Sequence, residues 1–149
     1  MIKIHQGNIL TGVDRGFIVH GCNAQGVMGS GIAKDIRDTW PQVYEDYKKQ
    51  ERYLGLNLGN TIYTEVGLGL TVVSAITQEC YGRDKDILYV DYDAVSCCFE
   101  WIKNASENTG WQVHFPLIGC GLANGKWEEV SKRIEAALGP NVYANLWLL

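Results

Sequence analysis

Ile2 and Ile4 alternate with Lys3 and His5 up to Gly7-Asn8, the period-two pattern of an opening strand. After Gly16, Phe17-Ile18-Val19-His20 is a continuous apolar run, which fits a strand buried in a parallel sheet. A glycine-dense stretch follows from Gly21 to Gly31. Ile32, Ala33, Ile36, Trp40, Val43, Tyr44 and Tyr47 then recur at helical spacing. Pro41 interrupts that pattern, which predicts one helix ending near Asp38 and a second with Pro41 in its first turn. Residues 60–66 and 70–77 read as a hairpin turning at Gly67-Leu68-Gly69. Asp91 or Asp93 can cap a helix that carries Val95, Cys98, Phe99 and Ile102 on one face. Trp111 to Ile118 is the next expected strand, closed by Gly119-Cys120-Gly121. Asn124-Gly125 opens a helix with Trp127, Val130, Ile134 and Leu138 inward, stopped by Gly139-Pro140, and Val142 to Leu149 forms a last strand. Strands and helices alternate without a linker or repeat. The pattern predicts one α/β domain over residues 1–149, a mostly parallel sheet covered on both faces.

Composition narrows the function classes. With 46% hydrophobic and 20% charged residues the chain has an ordinary globular profile, which excludes disorder. Thirteen Lys and Arg against 17 Asp and Glu give a net charge of −4, no footprint for gripping a nucleic-acid backbone. No apolar run approaches the roughly 20 residues of a membrane helix, and the N-terminus lacks a signal-peptide core. The expectation is a soluble, cytoplasmic protein with neither nucleic acid nor membrane as a partner. Five cysteines, two of them adjacent (Cys97 and Cys98), contain no C-x-x-C pair, which argues against disulfides and structural zinc. His20, Cys22 and Cys120 form a weaker cluster that reads as loop packing. No metal or cofactor is expected.

The chemistry lies in two glycine loops, each following a predicted central strand. At that edge of an open α/β sheet, ligands bind. Gly29-Ser30-Gly31-Ile32-Ala33 runs into a helix, and Ile118-Gly119-Cys120-Gly121-Leu122-Ala123 leads toward another. Loops of this kind bring backbone amides, and a helix N-terminus, to a phosphate. Two facing loops would clamp a diphosphate without basic side chains, a design suited to an acidic protein. No Gly-Lys-Ser/Thr occurs, so this is no P-loop. Gly29-Ser30-Gly31 starts nine residues after His20, too late for a Rossmann fingerprint.

Gln6-Gly7-Asn8-Ile9, Val19-His20-Gly21-Cys22-Asn23 running to Gly29-Ser30-Gly31-Ile32-Ala33, and Pro116-Leu117-Ile118-Gly119-Cys120-Gly121-Leu122 together resemble the macro domains, which bind ADP-ribose. The His-x-Cys-Asn form is most similar to the branch with ADP-ribose 1″-phosphate phosphatases and terminal ADP-ribose protein-glutamate hydrolases. The resemblance implies a three-layer α/β/α sandwich around a mixed, mostly parallel sheet, and no metal. It implies that Asn8 stands where an aspartate usually reads the adenine amino group, keeping a carbonyl acceptor there without the charge. Ile9 would offer its N–H to the ring. Gly29 to Ala33 and Gly119 to Ala123, with Cys22 and Cys120 as packing residues of the loops, would hold the diphosphate. Asn23 would orient the distal ribose. Trp147 reads equally as an adenine neighbour or as a core residue.

The departures from that branch carry as much information. Its glutamate hydrolases use a lysine where this chain has Gln78 and an aspartate where it has Ala123. Gln78 forms no Schiff base and Ala123 takes no proton, which sets aside the lysine route and its DNA-directed relative. His20, Asn23 and the polar loop Gln78-Glu79-Cys80-Tyr81-Gly82-Arg83-Asp84 remain. The expectation is hydrolysis of ADP-ribose 1″-phosphate, with Asn23 positioning the ribose and His20 either activating water or serving only as a buried structural residue. The alternatives are a non-catalytic ADP-ribose reader and a lysine-independent ADP-ribosyl hydrolase.

Overall fold

The computed structural model describes all of residues 1–149. Six strands form one sheet in the order β1-β6-β5-β2-β4-β3. They are β1 Ile2–Gln6, β2 Gly16–Asn23, β3 Thr61–Gly67, β4 Leu70–Gln78, β5 Val113–Phe115 and β6 Ala144–Leu148. Only β3 runs antiparallel, as the hairpin partner of β4; the other pairings are all parallel. The five parallel strands therefore end on the same edge.

Helices cover both faces. On one, α4 (Tyr92–Thr109) and α5 (Trp127–Leu138) bury Val95, Phe99, Ile102, Val130, Ile134 and Leu138 against Phe17, Val19, Val113 and Phe115. On the other, α1 (Ile9–Gly12), α2 (Gly31–Thr39) and α3 (Pro41–Tyr53) bury Ile36, Val43 and Tyr47 against Ile18, Val72 and Ile76. The period of two along β2 sends alternate residues to opposite layers, which is why its sequence reads as an unbroken apolar run. This is the mixed, mostly parallel α/β/α sandwich that the resemblance implied.

Pro41 begins α3 at its first position, with Trp40 alone between it and Thr39, where α2 ends, so the expected break holds. Asp91, rather than Asp93, caps α4, accepting the Ala94 N–H at 2.9 Å, while Asp93 pairs with Arg133 at 2.7 Å. The strand expected from Trp111 to Ile118 is only Val113–Phe115. Between β6 and β2 a proline at 116 has no N–H for the ladder, and the chain turns there. Asn124-Gly125 does not open a helix either: Asn124 is left-handed, with φ of 63°, and α5 starts at Trp127. The four-residue α1 is too short to announce itself by periodicity.

Candidate functional site

A cleft of about 1370 Å³ lies along the edge where the parallel strands end. Each of the five contributes the residues that follow or close it: Gly7 to Leu10 after β1, Asn23 to Ala33 after β2, Gln78 to Arg83 around the end of β4, Pro116 to Ala123 after β5, and Trp147 to Leu149 at the end of β6. The antiparallel β3 contributes nothing to it.

Both glycine loops line this cleft, and their amides are idle. The N–H groups of Gly29, Ser30, Gly31, Ile32 and Ala33, and those of Gly119, Gly121, Leu122 and Ala123, donate to no acceptor in the protein. Some of these are the ordinary orphans of the first turn of α2. The rest result from turn geometry: Gly119, with φ of 73°, sits against Val90, where a Cβ would come within 2.5 Å of Cγ2. Gly125 N–H then closes on the Gly119 carbonyl at 2.7 Å, leaving the intervening amides free. Cys120 is the exception, since its N–H goes to Leu117 O at 3.2 Å and its thiol lies 3.3 Å from Ile118 O. Burial pushes that thiol up to about 11, so it is protonated at neutral pH. Ser30, the N-cap of α2, makes no side-chain cap bond. A row of unpaired donors beside a helix start is chemistry that can hold an anion without cationic side chains.

Asn23 borders the cleft as the centre of its first loop. Its Oδ1 accepts from Gln25 N at 3.0 Å and from Val27 N at 3.3 Å, and its Nδ2 donates to Val27 O at 2.8 Å. The buried Tyr47 hydroxyl lies 2.6 Å from the Asn23 carbonyl and 3.0 Å from Oδ1. Cys22 borders the cleft too, but its thiol turns down onto the His20 ring, 3.6 Å from Nδ1, and burial raises its pKa far beyond use.

His20 is not in the cleft. It lies under the α1–α3 layer with no exposed surface, its Nε2 2.8 Å from Ser74 Oγ. Burial lowers its pKa to about 4, so it is a neutral core imidazole, and it is not among the residues that line the cleft. The reason is the strand's period: His20 shares its face of β2 with Ile18 and Cys22, all packed in that layer. That placement is the one its structural reading describes. No three His, Cys, Asp or Glu side chains converge as a metal site.

At one end of the cleft, Asn8 Oδ1 accepts the Leu10 N–H at 2.9 Å, capping α1, while the Ile9 N–H has no partner. Trp147 lines the same end but is held by the protein on several sides. It stacks on His5 with ring centres 4.6 Å apart, donates Nε1–H to His114 Nδ1 at 3.0 Å, and packs so closely on Gly12 that a Cβ there has no room. At the other end, Gln78 donates Nε2–H to Cys80 O at 2.8 Å, and Ala123 uses its carbonyl to hold the amides of Tyr89 and Val90. Arg83 is the one cationic side chain among the lining residues, and Asp35 the one anionic. The chain's ion pairs, Lys34–Asp38, Lys48–Glu51 and Arg133 with Asp93 and Glu129, leave Arg83 free. Its loop is fixed on both sides: the Tyr89 hydroxyl accepts Asp84 N at 3.2 Å, and Asn124 Nδ2 donates to Asp84 O and Ile87 O at 2.9 and 2.7 Å. Arg83, Tyr81 and Asp35 were not legible as a set. Arg83 had one signal, its place in the loop following a central parallel strand.

The macro domain family model matches residues 19–134. This chain belongs to the macro domain family. Among curated proteins, the macro domain is 24% identical over 140 residues to a DNA ADP-ribosyl glycohydrolase of Mycobacterium tuberculosis, covering 92% of this chain and 38% of that protein. It therefore spans well under half of that mycobacterial relative. A crystal structure of a Bacteroides thetaiotaomicron protein superposes with a TM-score of 0.91 at 27% identity, covering both chains completely. The fold is also shared with Thermosipho africanus DarTG in complex with ADP-ribose, at a TM-score of 0.78 and 17% identity, covering 99% of this chain and 42% of that one.

Proposed function

We propose that the cleft holds ADP-ribose lengthwise and that the protein hydrolyses ADP-ribose 1″-phosphate to ADP-ribose and phosphate. The observation that carries the proposal is the pair of loops whose amides, Gly29 to Ala33 and Gly119 to Ala123 apart from Cys120, have no partner in the protein. A diphosphate supplies acceptors to amides that otherwise face only water, since Gly29, Ser30, Gly31, Gly121 and Leu122 are exposed. The base lies at the Asn8–Ile9 end, among Leu10, Trp147 and Leu148. The distal ribose lies toward Asn23, Gln78 and Arg83. Asn23 acts by shaping its loop.

In the hydrolysis, water attacks the phosphorus of the 1″-phosphate. The phosphorus bond to the C1″ oxygen breaks, that oxygen leaves with a proton derived from the water, and inorganic phosphate is released. The Arg83 guanidinium is the group suited to the charge on the phosphoryl oxygens. With His20 buried, no acid–base pair faces the cleft, so turnover is slow and rests on positioning. That same absence, with Gln78 and Ala123 at the cleft, favours the second reading, an ADP-ribose reader without chemistry. The five free thiols suit a reducing compartment, and we assign the protein to the cytoplasm; no helix is long and apolar enough to cross a membrane.

Phosphorus NMR of ADP-ribose 1″-phosphate incubated with stoichiometric protein separates the two readings. Appearance of inorganic phosphate, abolished in Arg83→Ala, supports hydrolysis. A bound phosphomonoester that stays intact leaves the reader. Arg83→Ala should also weaken binding of the phosphomonoester about tenfold, as expected for loss of a charge-assisted contact, while ADP-ribose binding changes much less.

A further inference from the structure

Asn23 is held from outside its own loop by one side chain. Its amide orientation follows from the main chain, since the Gln25 and Val27 N–H groups need the oxygen and Val27 O needs the NH₂ group. Those three bonds close within residues 23–27. The one side chain that bonds to Asn23 is Tyr47, fully buried on the face of α3 that also carries Val43. Burial raises the Tyr47 phenol above its ordinary range, so its single proton stays in place, with the Asn23 carbonyl 2.6 Å and Oδ1 3.0 Å away to accept it. A phenyl ring would fill the same core space. What the hydroxyl adds is its hold on Asn23.

The rest of the loop is tied separately. Lys48 Nζ donates to Gly26 O at 3.2 Å and pairs with Glu51 at 2.6 Å. Gly26, with φ of 80°, leaves a Cβ no room against that glutamate's carboxylate. At the sheet edge, Glu79 O takes the Ala24 N–H and the Gln25 side-chain amide, both at 3.1 Å. Met28, buried, then separates residues 23–27 from the first turn of α2 and its idle amides. Loss of the Tyr47 hydroxyl therefore loosens Asn23 while the loop's path and the amides of α2 keep their other ties.

We propose that Tyr47 is a positioning residue: acting through Asn23, it fixes the distal end of the cleft, and so governs affinity for ligands that carry the distal ribose and not for those that end at the diphosphate. The proposal rests on the nucleotide reading of the cleft, and it adds a core residue outside the cleft that sets one end of it. Tyr47→Phe keeps the ring and removes only the hydroxyl, so the variant folds.

Calorimetric titration of ADP-ribose and of ADP into both proteins tests this, because the two ligands share base, proximal ribose and diphosphate. Tyr47→Phe should bind ADP-ribose about fivefold more weakly, the range of one hydrogen bond, and ADP within about twofold of the wild type. Hydrogen exchange at the Gln25 and Val27 amides, which donate to Asn23 Oδ1, should quicken in the same variant. A double-mutant cycle shows whether the effect passes through Asn23: on an Asn23→Ala background, Tyr47→Phe should weaken ADP-ribose no further. Equal losses for ADP-ribose and ADP, no loss for either, or effects of the two substitutions that simply add would overturn the positioning role alone. Should Asn23→Ala not fold, the contrast between the two ligands in Tyr47→Phe decides by itself. A wild-type protein that binds neither ligand would overturn the nucleotide reading along with it.

Discussion

At the scale of single residues, His20 shows how far a side chain's type can mislead about its task. A buried neutral imidazole contributes to stability through proton linkage. Its folded pKa of about 4 lies below its ordinary value of 6.5, so in that window the unfolded chain binds a proton that the native protein does not. Stability is full above pH 6.5 and falls as the pH drops toward 4. His114 behaves likewise, lowered to about 4 by burial and by His5, and it must stay neutral to accept the Trp147 N–H. Urea unfolding at pH 7 and pH 5 should therefore show a loss of about 2 kcal/mol from His20 at the lower pH, a smaller one from the half-buried His114 because solvent screens it, and an unchanged slope. His20 and His114 ring resonances that titrate near 6.5 would contradict this. Thr77 offers a test in the opposite direction. Its Oγ1 is buried without a partner, next to Gly21, where a Cβ would come within 2.8 Å of it. Thr77→Val keeps the shape and removes the orphan, and should stabilise the protein by about 1 kcal/mol in thermal or urea unfolding. A drop in stability would mean that the hydroxyl has a hydrogen-bond partner such as a buried water.

At the scale of elements, the site depends on the contact between the loop 79–90 and the loop 119–125, tied by Asn124. Asn124→Gly keeps the left-handed backbone but removes the two bonds to Asp84 O and Ile87 O. Hydrogen exchange of residues 84–88 should quicken, and ligand affinity should fall several-fold, while the unfolding midpoint moves by no more than the roughly 1–3 kcal/mol of two partly exposed hydrogen bonds. Unaltered exchange would show that the loop is held by other contacts. Much of this architecture was legible. The Pro41 break, the hairpin and the buried β2 all follow from local patterning, because tertiary structure there agrees with propensity. The end of β5 was legible as well, since a proline cannot sit within a central strand and Pro116 directly follows Phe115. What the sequence could not show is which layer a residue of β2 faces. Val19 and His20 are neighbours in the chain and lie in opposite layers, and only the packing of α1 to α3 places His20 in a closed one. The unpaired amides were foreshadowed by the glycines. The capping of α1 by Asn8 was not, because α1 is a single turn without a periodic signature.

At the scale of the whole molecule, topology makes the site. Five strands that run the same way end on one edge, and the crossover helices leave the loops of that edge facing one another. An acidic protein with net charge −4 then presents main-chain donors to that cleft, with one arginine at one end of it. This account makes the glycines of the second loop indispensable for binding and unimportant for folding, and Gly121 separates the two. A Cβ there meets no heavy atom within 4 Å, so Gly121→Glu is accommodated by the fold and puts a carboxylate against the place of the diphosphate. Calorimetric titration of ADP-ribose into the wild-type protein and into Gly121→Glu is the most direct measurement. The account predicts a dissociation constant below about a millimolar for the wild type, equivalent to at least roughly 4 kcal/mol. For the variant it predicts affinity reduced by about 30-fold or more through like-charge repulsion, with the same unfolding midpoint. Equal affinity in the two proteins, or no binding by the wild type, would contradict it.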